Sequence, residues 1–298
     1  MRCFIVRIWL RLDPNRALHE YLSTDLPYNR KVMNACGISK LFPPSRRTFD
    51  RRLKTISIDI KEKITTMGCL FVTEGIVKPY IMAIDSTLIK SRGKVWHKSS
   101  MKKGIVPRSG IDTDARWGYS HTKGWIFGYK LHLISSTGSS SILIPLSADF
   151  TTANTADNQL YKTLTSSLHS ITTIKKISYM TADPGYDDQN LYDLSMDLGF
   201  QLVCPVRRYK NTPSDRQELV DFYESSLRQV IYSKRSTSIE PLIEHIKSIF
   251  RIDHLPVRGY DKARAIVLLS VLLYQILVYY NCKTEQHKPR TIKYLIGC

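Results

Sequence analysis

At 298 residues and 43% hydrophobic, the chain is long enough to bury a core in one large domain or in a main domain with an appendage. It carries 44 Lys and Arg against 26 Asp and Glu, a net charge of +18. A field of that sign draws polyanions, nucleic acid ahead of anionic membrane. The six cysteines (Cys3, Cys36, Cys69, Cys204, Cys282 and Cys298) form no CxxC pair. That excludes a zinc ribbon or a thioredoxin-type motif and suits a reducing, cytoplasmic setting.

Met1 to Leu12 is apolar but interrupted by Arg2, Arg7 and Arg11, which argues against a signal peptide. Residues 13 to about 75 read as helical and basic. Pro43 and Pro44 stop what precedes them, and Ser45 is placed to cap a helix bearing Arg46, Arg47, Arg51, Arg52 and Lys54. Such a helix is either a solvated face or a tracker of phosphates.

At Pro79 the texture changes. Tyr80 to Ile84 is a short apolar run that predicts a buried strand ending at Asp85. A polar loop rich in Lys, Arg, Gly and Ser is expected from Ser91 to about Lys123. Strands follow at Trp125–Ile134 and Ser141–Leu146, joined by a turn at residues 136–139. A helix is expected over Asn158–Leu168 with Asp157 as a cap, then a strand over Ile177–Ala182 that ends at Asp183. After that come a helix over Asp188–Leu198, a strand over Gln201–Val206, the basic cluster Arg207-Arg208-Tyr209-Lys210, and further helices. The run from Ala265 to Tyr280 is shorter than the roughly 20 residues that span a bilayer and contains Gln275, so it reads as a buried core helix with no membrane role. The order implies an α/β fold: a mixed five-stranded sheet flanked by helices, antiparallel early and parallel later.

Asp85 and Asp183 each end an apolar strand, where an unpaired ionised carboxylate is costly to bury. Each alone is better explained as a helix cap or turn-forming aspartate. Two of them in so basic a chain point to carboxylates gathered around hard divalent cations, Mg2+ or Mn2+, as phosphodiester chemistry uses. A third carboxylate is expected on a late helix. Pro241 is tolerable in a first turn, so that helix is expected to begin near Ser238 as its N-cap, with Glu240, Glu244 and Lys247 on one face. His97, His121, His132 and His245 show no paired ligand spacing.

These pieces together resemble the DDE transposases of bacterial insertion sequences, in the group marked by a Tyr-Arg-Glu-Lys signature. The matching pieces are Ala83-Ile84-Asp85-Ser86-Thr87, Gly128-Tyr129-Lys130-Leu131-His132, Ala153-Asn154 with Asp157, Ala182-Asp183-Pro184-Gly185-Tyr186-Asp187, and the segment Tyr232 to Lys247. The resemblance covers roughly residues 80 to 281. It implies an RNase H-like catalytic domain over residues 79–298, preceded by a helical, basic, DNA-binding region over residues 1–78. It also implies a metal-binding catalytic triad of Asp85, Asp183 and Glu240, with Tyr232, Arg235 and Lys247 on DNA phosphates. Arg207, Arg208 and Lys210 are expected to bind DNA through their charge, and Tyr209 and Trp96 are candidates for stacking on bases.

The family spacing Tyr-x2-Arg-x3-Glu-x6-Lys is broken by one extra residue between Arg235 and Glu240. Either the turn before the helix is longer or Arg235 is not the signature arginine. Glu244 is the weaker alternative for the third carboxylate. The function implied is strand cleavage at element ends followed by joining to target DNA, in the bacterial cytoplasm, by a homodimer in a synaptic complex. The alternatives are a catalytically inactive DNA-binding relic and an RNase H-like nuclease that cuts without joining.

Overall fold

The structure, a computed structural model, describes residues 1–38, 43–107, 109–137, 142–208 and 214–296. The helical N-terminal region comprises α1 (Arg2–Trp9), α2 (Asn15–Ser23), α3 (Pro27–Cys36), α4 (Arg46–Thr55) and α5 (Ser57–Thr73). Ser45 caps α4 as expected, its Oγ accepting from the Thr48 amide at 3.3 Å. Phe49 and Leu53 turn inward from α4, while Arg46, Arg47, Arg51, Arg52 and Lys54 remain exposed. The helix is therefore amphipathic with a cationic outer face. The arginine-interrupted start of the chain is helix α1, which buries Phe4 and Val6 in the common core.

The sheet contains β1 (Ile81–Lys90), β2 (Arg116–Ser120), β3 (Gly124–Ser136), β4 (Pro145–Thr152), β5 (Tyr179–Thr181) and β6 (Gln201–Val203). Its central order is β4-β3-β1-β5-β6. Strand β3 runs antiparallel to both β4 and β1, and β5 and β6 run parallel to β1. This is the RNase H-like arrangement. Helix α7 (Asp157–Ser166) packs on β3 and β4, the short α8 (His169–Thr172) follows it, and α9 (Gln189–Asp197) packs on β6.

Four local expectations need correction. First, β1 does not end at Asp85 but runs five residues further, to Lys90, because antiparallel pairing with β3 continues as far as Lys90↔Gly128. Polar residues here keep their ladder bonds, so the loss of apolar character does not end the strand. Second, the stretch between Ser91 and Lys123 is not all loop: it holds the short helix α6 (Lys98–Lys102) and β2, which forms a hairpin with β3. Third, the strand expected at Ser141–Leu146 lies later. Residues 143 and 144 are buried on the way in, and the ladder to β3 is made by Pro145–Thr152, whose Ser147, Ala148 and Asp149 gave no apolar signal. Ser141 and part of the preceding turn lie outside the described residues.

The fourth correction concerns the late helix. Helix α11 runs from Ser226 to Phe250, with α10 (Ser214–Glu224) before it. Ser238 is not its cap, because the Ser238 Oγ donates to the Lys234 carbonyl at 2.6 Å inside a helix already under way. Pro241 sits in the interior. Proline forfeits one backbone bond there, and burial of Ile239, Leu242, Ile243 and Ile246 on the sheet side offsets that loss.

The run around Ala265–Tyr280 belongs to α12 (Tyr260–Thr284), which packs against α1, α4, α5 and β4. By length and composition it is able to cross a membrane, with a mean hydropathy of 1.8, but 78% of that window is buried inside the protein. Gln275, buried in its middle, donates its side-chain amide to the carbonyls of Ile64 at 2.9 Å and Pro145 at 2.8 Å, while its Oε1 has no hydrogen-bond partner among the described residues.

Candidate active site

The sheet register brings the two aspartates together. The parallel ladder pairs Ile81 with Tyr179, Met82 with Met180 and Ala83 with Thr181. Continuing it by two residues sets Asp183 alongside Asp85. Asp183 lies just past β5, in extended backbone, where its Oδ1 accepts from the Gly185 amide at 2.9 Å and opens the 3-10 turn Pro184–Tyr186.

Helix α11 covers β1, β3, β5 and β6 and completes the site. From it, Arg235 reaches down between the acids. One guanidinium nitrogen donates to Asp85 Oδ2 at 2.7 Å and another to Glu240 Oε1 at 2.7 Å. Arg235 and Asp85 are each 13% exposed, whereas Glu240 is 49% exposed. Because the helix is continuous through Tyr232, Arg235 and Glu240, the extra residue in the signature is not a longer turn. It rotates Glu240 about 100° around the axis relative to the usual spacing, and the length of the Arg235 side chain spans the difference.

Electrostatics follow from this packing. Burial pushes the Asp85 carboxyl up to about 6. Arg235 and the Ser86 amide oppose that rise, and Asp183 adds to it. Burial and then Asp157 raise Asp183, against the Gly185 amide, Arg235 and Lys130. Burial works against the Arg235 charge, but Asp85, Asp183 and Glu240 outweigh it and hold its proton more tightly.

Lys247, three turns down α11, is almost wholly buried. It lies 3.3 Å from Thr87 Oγ1 on β1, with Glu244 at 3.2 Å and Asp253 at 3.4 Å. Glu244 is thus engaged with Lys247. Tyr232 is half-buried and meets Tyr223 edge-to-face at 5.6 Å. Arg207 and Arg208 are exposed. The Arg207 amide donates to Asp187 at 2.8 Å, which ties that strand of chain to the turn after Asp183, and Arg208 pairs with Glu224. Lys210 and Tyr209 lie outside the described residues. Trp96 is half-buried, with its indole N–H spent on the Ile105 carbonyl at 3.1 Å.

A second polar group, not foreseen as a unit from the sequence, lies next to Asp183. Asp157, expected as a helix cap, is instead the first residue of α7 and receives Lys130 Nζ at 3.0 Å, with His132 Nδ1 at 3.6 Å. His132 is fully buried. Burial drives its imidazole down to about 4, with Asp157 opposing. The Tyr186 hydroxyl is buried near Asp157, Asp85 and Asp183 and finds no hydrogen-bond partner among the described residues. The signal was present, because Lys130, His132, Asp157 and Tyr186 all fall in the quoted motif pieces. Their mutual contact was not readable from spacing.

The donor set suits a hard dication. Its oxygens are carboxylate, and burial, with a smaller contribution from half-buried Asp183, holds Asp85 above the usual carboxylate range, a cost that positive charge relieves. The positive charge among the acids here is the Arg235 guanidinium. Among the described residues, no group of three or more His, Cys, Asp or Glu side chains is arranged to hold a metal ion.

Comparison with known proteins matches residues 77–276 to the family described as Transposase DDE domain. No curated protein matches the chain. Among solved structures, the chain is similar to a piggyBac transposase in a synaptic complex with hairpin DNA. The identity is 10% and the TM-score 0.44, over 74% of this chain and 51% of that one. It is also similar to the Mos1 transposase in a paired-end complex with the left transposon end (11%, TM-score 0.25, 80% and 76%) and in a mariner paired-end complex with Mn (11%, 0.25, 87% and 76%). The chain spans about half the length of the piggyBac chain. At these scores the structural likeness carries no chemistry, and the family match alone assigns the protein. That match covers most of the chain, including β1 through β6 and the greater part of α12: the protein belongs to the transposase DDE-domain family, whose members transfer phosphoryl groups on DNA.

Proposed function

We propose that the chain is the transposase of an insertion sequence, cutting DNA at element ends and joining the freed ends to target DNA, with Asp85, Asp183 and Glu240 as its catalytic carboxylates. One observation supports this above the others: Arg235 bridges Asp85 and Glu240 while the sheet register sets Asp183 beside Asp85. One guanidinium thus holds two of the three acids, and the register puts the third next to the first. Asp85, Asp183 and Glu240 would hold Mg2+ or Mn2+, which when bound supplies Lewis-acid activation of the reacting phosphate.

The protein's own share is positioning and charge. In the first in-line displacement, water oxygen bonds to phosphorus and the bond to the 3′ oxygen breaks, freeing a 3′-hydroxyl. In the second, that hydroxyl attacks a target phosphate and releases the target's own 3′ oxygen. Arg235 is able to exchange a carboxylate for a DNA phosphate without moving its backbone. Tyr232 flanks it one helical turn earlier. Lys247, buried beside Thr87, contributes positive field from beneath rather than direct contact. The outer face of α4, with Arg207 and Arg208, would grip the backbone, so that binding weakens with salt by a log–log slope of about −0.9 per phosphate neutralised.

The test is cleavage of an element-end duplex in Mg2+ by Asp85→Asn and Asp183→Asn. Each should lose cleavage by at least a hundredfold while retaining duplex affinity. Undiminished cleavage by either removes that residue from the triad. Transfer of a labelled end to a second DNA separates a transposase from a nuclease that only cuts.

A further inference from the structure

The segment between β1 and β2 builds a surface that the carboxylate site does not use. It is tied down at several points. The Lys94 amide donates to the Gly110 carbonyl at 3.0 Å, and the Trp117 indole N–H donates to the Trp96 carbonyl at 2.8 Å. Asp112 accepts from the Tyr129 hydroxyl at 2.9 Å and the Gly259 amide at 3.0 Å. Asp114 accepts from the Tyr260 amide at 2.9 Å, at the start of α12.

On this framework sits an open cavity of about 350 Å³ walled by Trp117 and Trp125, with Lys98, Lys102 and Arg116 around it and Asn154 at its rim. Trp125 is 57% exposed, and Tyr119, 56% exposed, meets it edge-to-face at 5.3 Å. The Lys98 ammonium lies 2.9 Å from the centre of the Trp125 ring and 5.4 Å from that of Trp117.

A lone exposed aromatic needs no explanation. Here two neighbouring aromatic rings present themselves to solvent, with a third ring, Trp117, in the cavity wall and cations on the same rim. Ring faces bind flat π-systems, and the cations select a ligand that is also anionic. An unpaired nucleotide has both properties. Bases inside a duplex offer only their edges, since their faces are already stacked, so the ring surface is usable only by an unpaired base. The volume lies near the lower end of small-ligand sites, about 300–1,000 Å³, which suits one base rather than a longer stack.

We infer that the Trp117–Trp125 cavity is a nucleobase-binding site, taking one unpaired base of DNA on the Trp125 ring while Lys98 moves from that ring to the flanking phosphate. The inference rests on the reading of the protein as acting on DNA. Asn154, at its rim, lies three residues before Asp157, the first residue of α7, whose charge acts on Asp183.

The test compares anisotropy titrations of the full-length protein with a fluorescein-labelled oligothymidylate and with a labelled duplex of equal length. Trp125→Ala should bind the single strand roughly 5- to 150-fold more weakly, the range expected for one base–aromatic stack. Duplex affinity should be unchanged, and Trp125→Phe should restore most of the loss. Retained duplex binding also shows that the variants are folded. If wild type and Trp125→Ala bind the single strand equally, the site is not a base site, although the DNA reading stands. If wild type binds neither DNA, both fail. If the substitution leaves DNA binding intact but changes the oligomeric state, the patch is an interface between copies and the inference is overturned.

Discussion

Replacing Arg235 with Gln removes one charge from between the acids while keeping a donor and most of the volume. Because Asp85 titrates, the effect must depend on pH. At about 4 Å and an effective dielectric of about 20, the pairing of Arg235 with Asp85 is worth about 4 kcal/mol, or roughly three pKa units. Asp85 already lies at about 6 in the folded protein through burial, above an unfolded value of about 3.9. A carboxylate raised on folding holds its proton more tightly in the native state. Its contribution to stability is therefore fully present below the unfolded pKa and is lost as pH rises towards the folded one.

In the wild type that loss stops near pH 6. Without Arg235 it should continue for about three further units. At pH 5 Asp85 is protonated in both folded proteins and the variant should match the wild type apart from small packing changes. At pH 8 it should be less stable by about 3 kcal/mol. Glu240, half exposed, adds little. Urea unfolding at the two pH values, with an unchanged m-value, measures this directly. An equal destabilisation at pH 5 and pH 8 would mean that Arg235 acts through packing and not as the counter-ion of Asp85.

Two other predictions follow from the sheet. Burial of His132 beside Lys130 lowers its pKa to about 4, so it is neutral in the native state and its contribution is present above about 6.5 and lost as pH falls through 4. His132→Gln should flatten that part of the wild-type stability profile, by up to about 3 kcal/mol between pH 7 and 4, and NMR titration should find the native imidazole uncharged at pH 6. At Gly128, a Cβ would stand 2.0 Å from the Ile89 carbonyl oxygen and 2.8 Å from the Ser91 amide nitrogen, both backbone atoms. Gly128→Ala should therefore force β1 and β3 apart and cost about 3 kcal/mol or more by thermal or urea unfolding. A near-neutral result would mean that the ladder at Lys90↔Gly128 is not formed as described.

The class of fold and the neighbourhood of the chemistry were legible in the residues alone. Apolar runs of strand length before Asp85 and Asp183, and the alternation with helices from Asn158 onward, are consequences of burial on a sheet and are visible one segment at a time. The net charge and the cationic face of α4 were equally local. What the sequence left open was set by contacts between distant segments. Polar residues beyond Asp85 remain in β1 because β3 lies beside them, and β4 is a strand because β3 offers it a ladder, whatever its own composition. Pro241 sits inside α11 because the apolar residues around it are buried against the sheet, which outweighs one missing backbone bond. The rotation of that unbroken helix, together with the register of β5 against β1, decides which acids meet. Side chains as far apart as Asp85 and Arg235 are paired by the way the helix lies across the sheet, and that is a property of packing that no window of sequence contains.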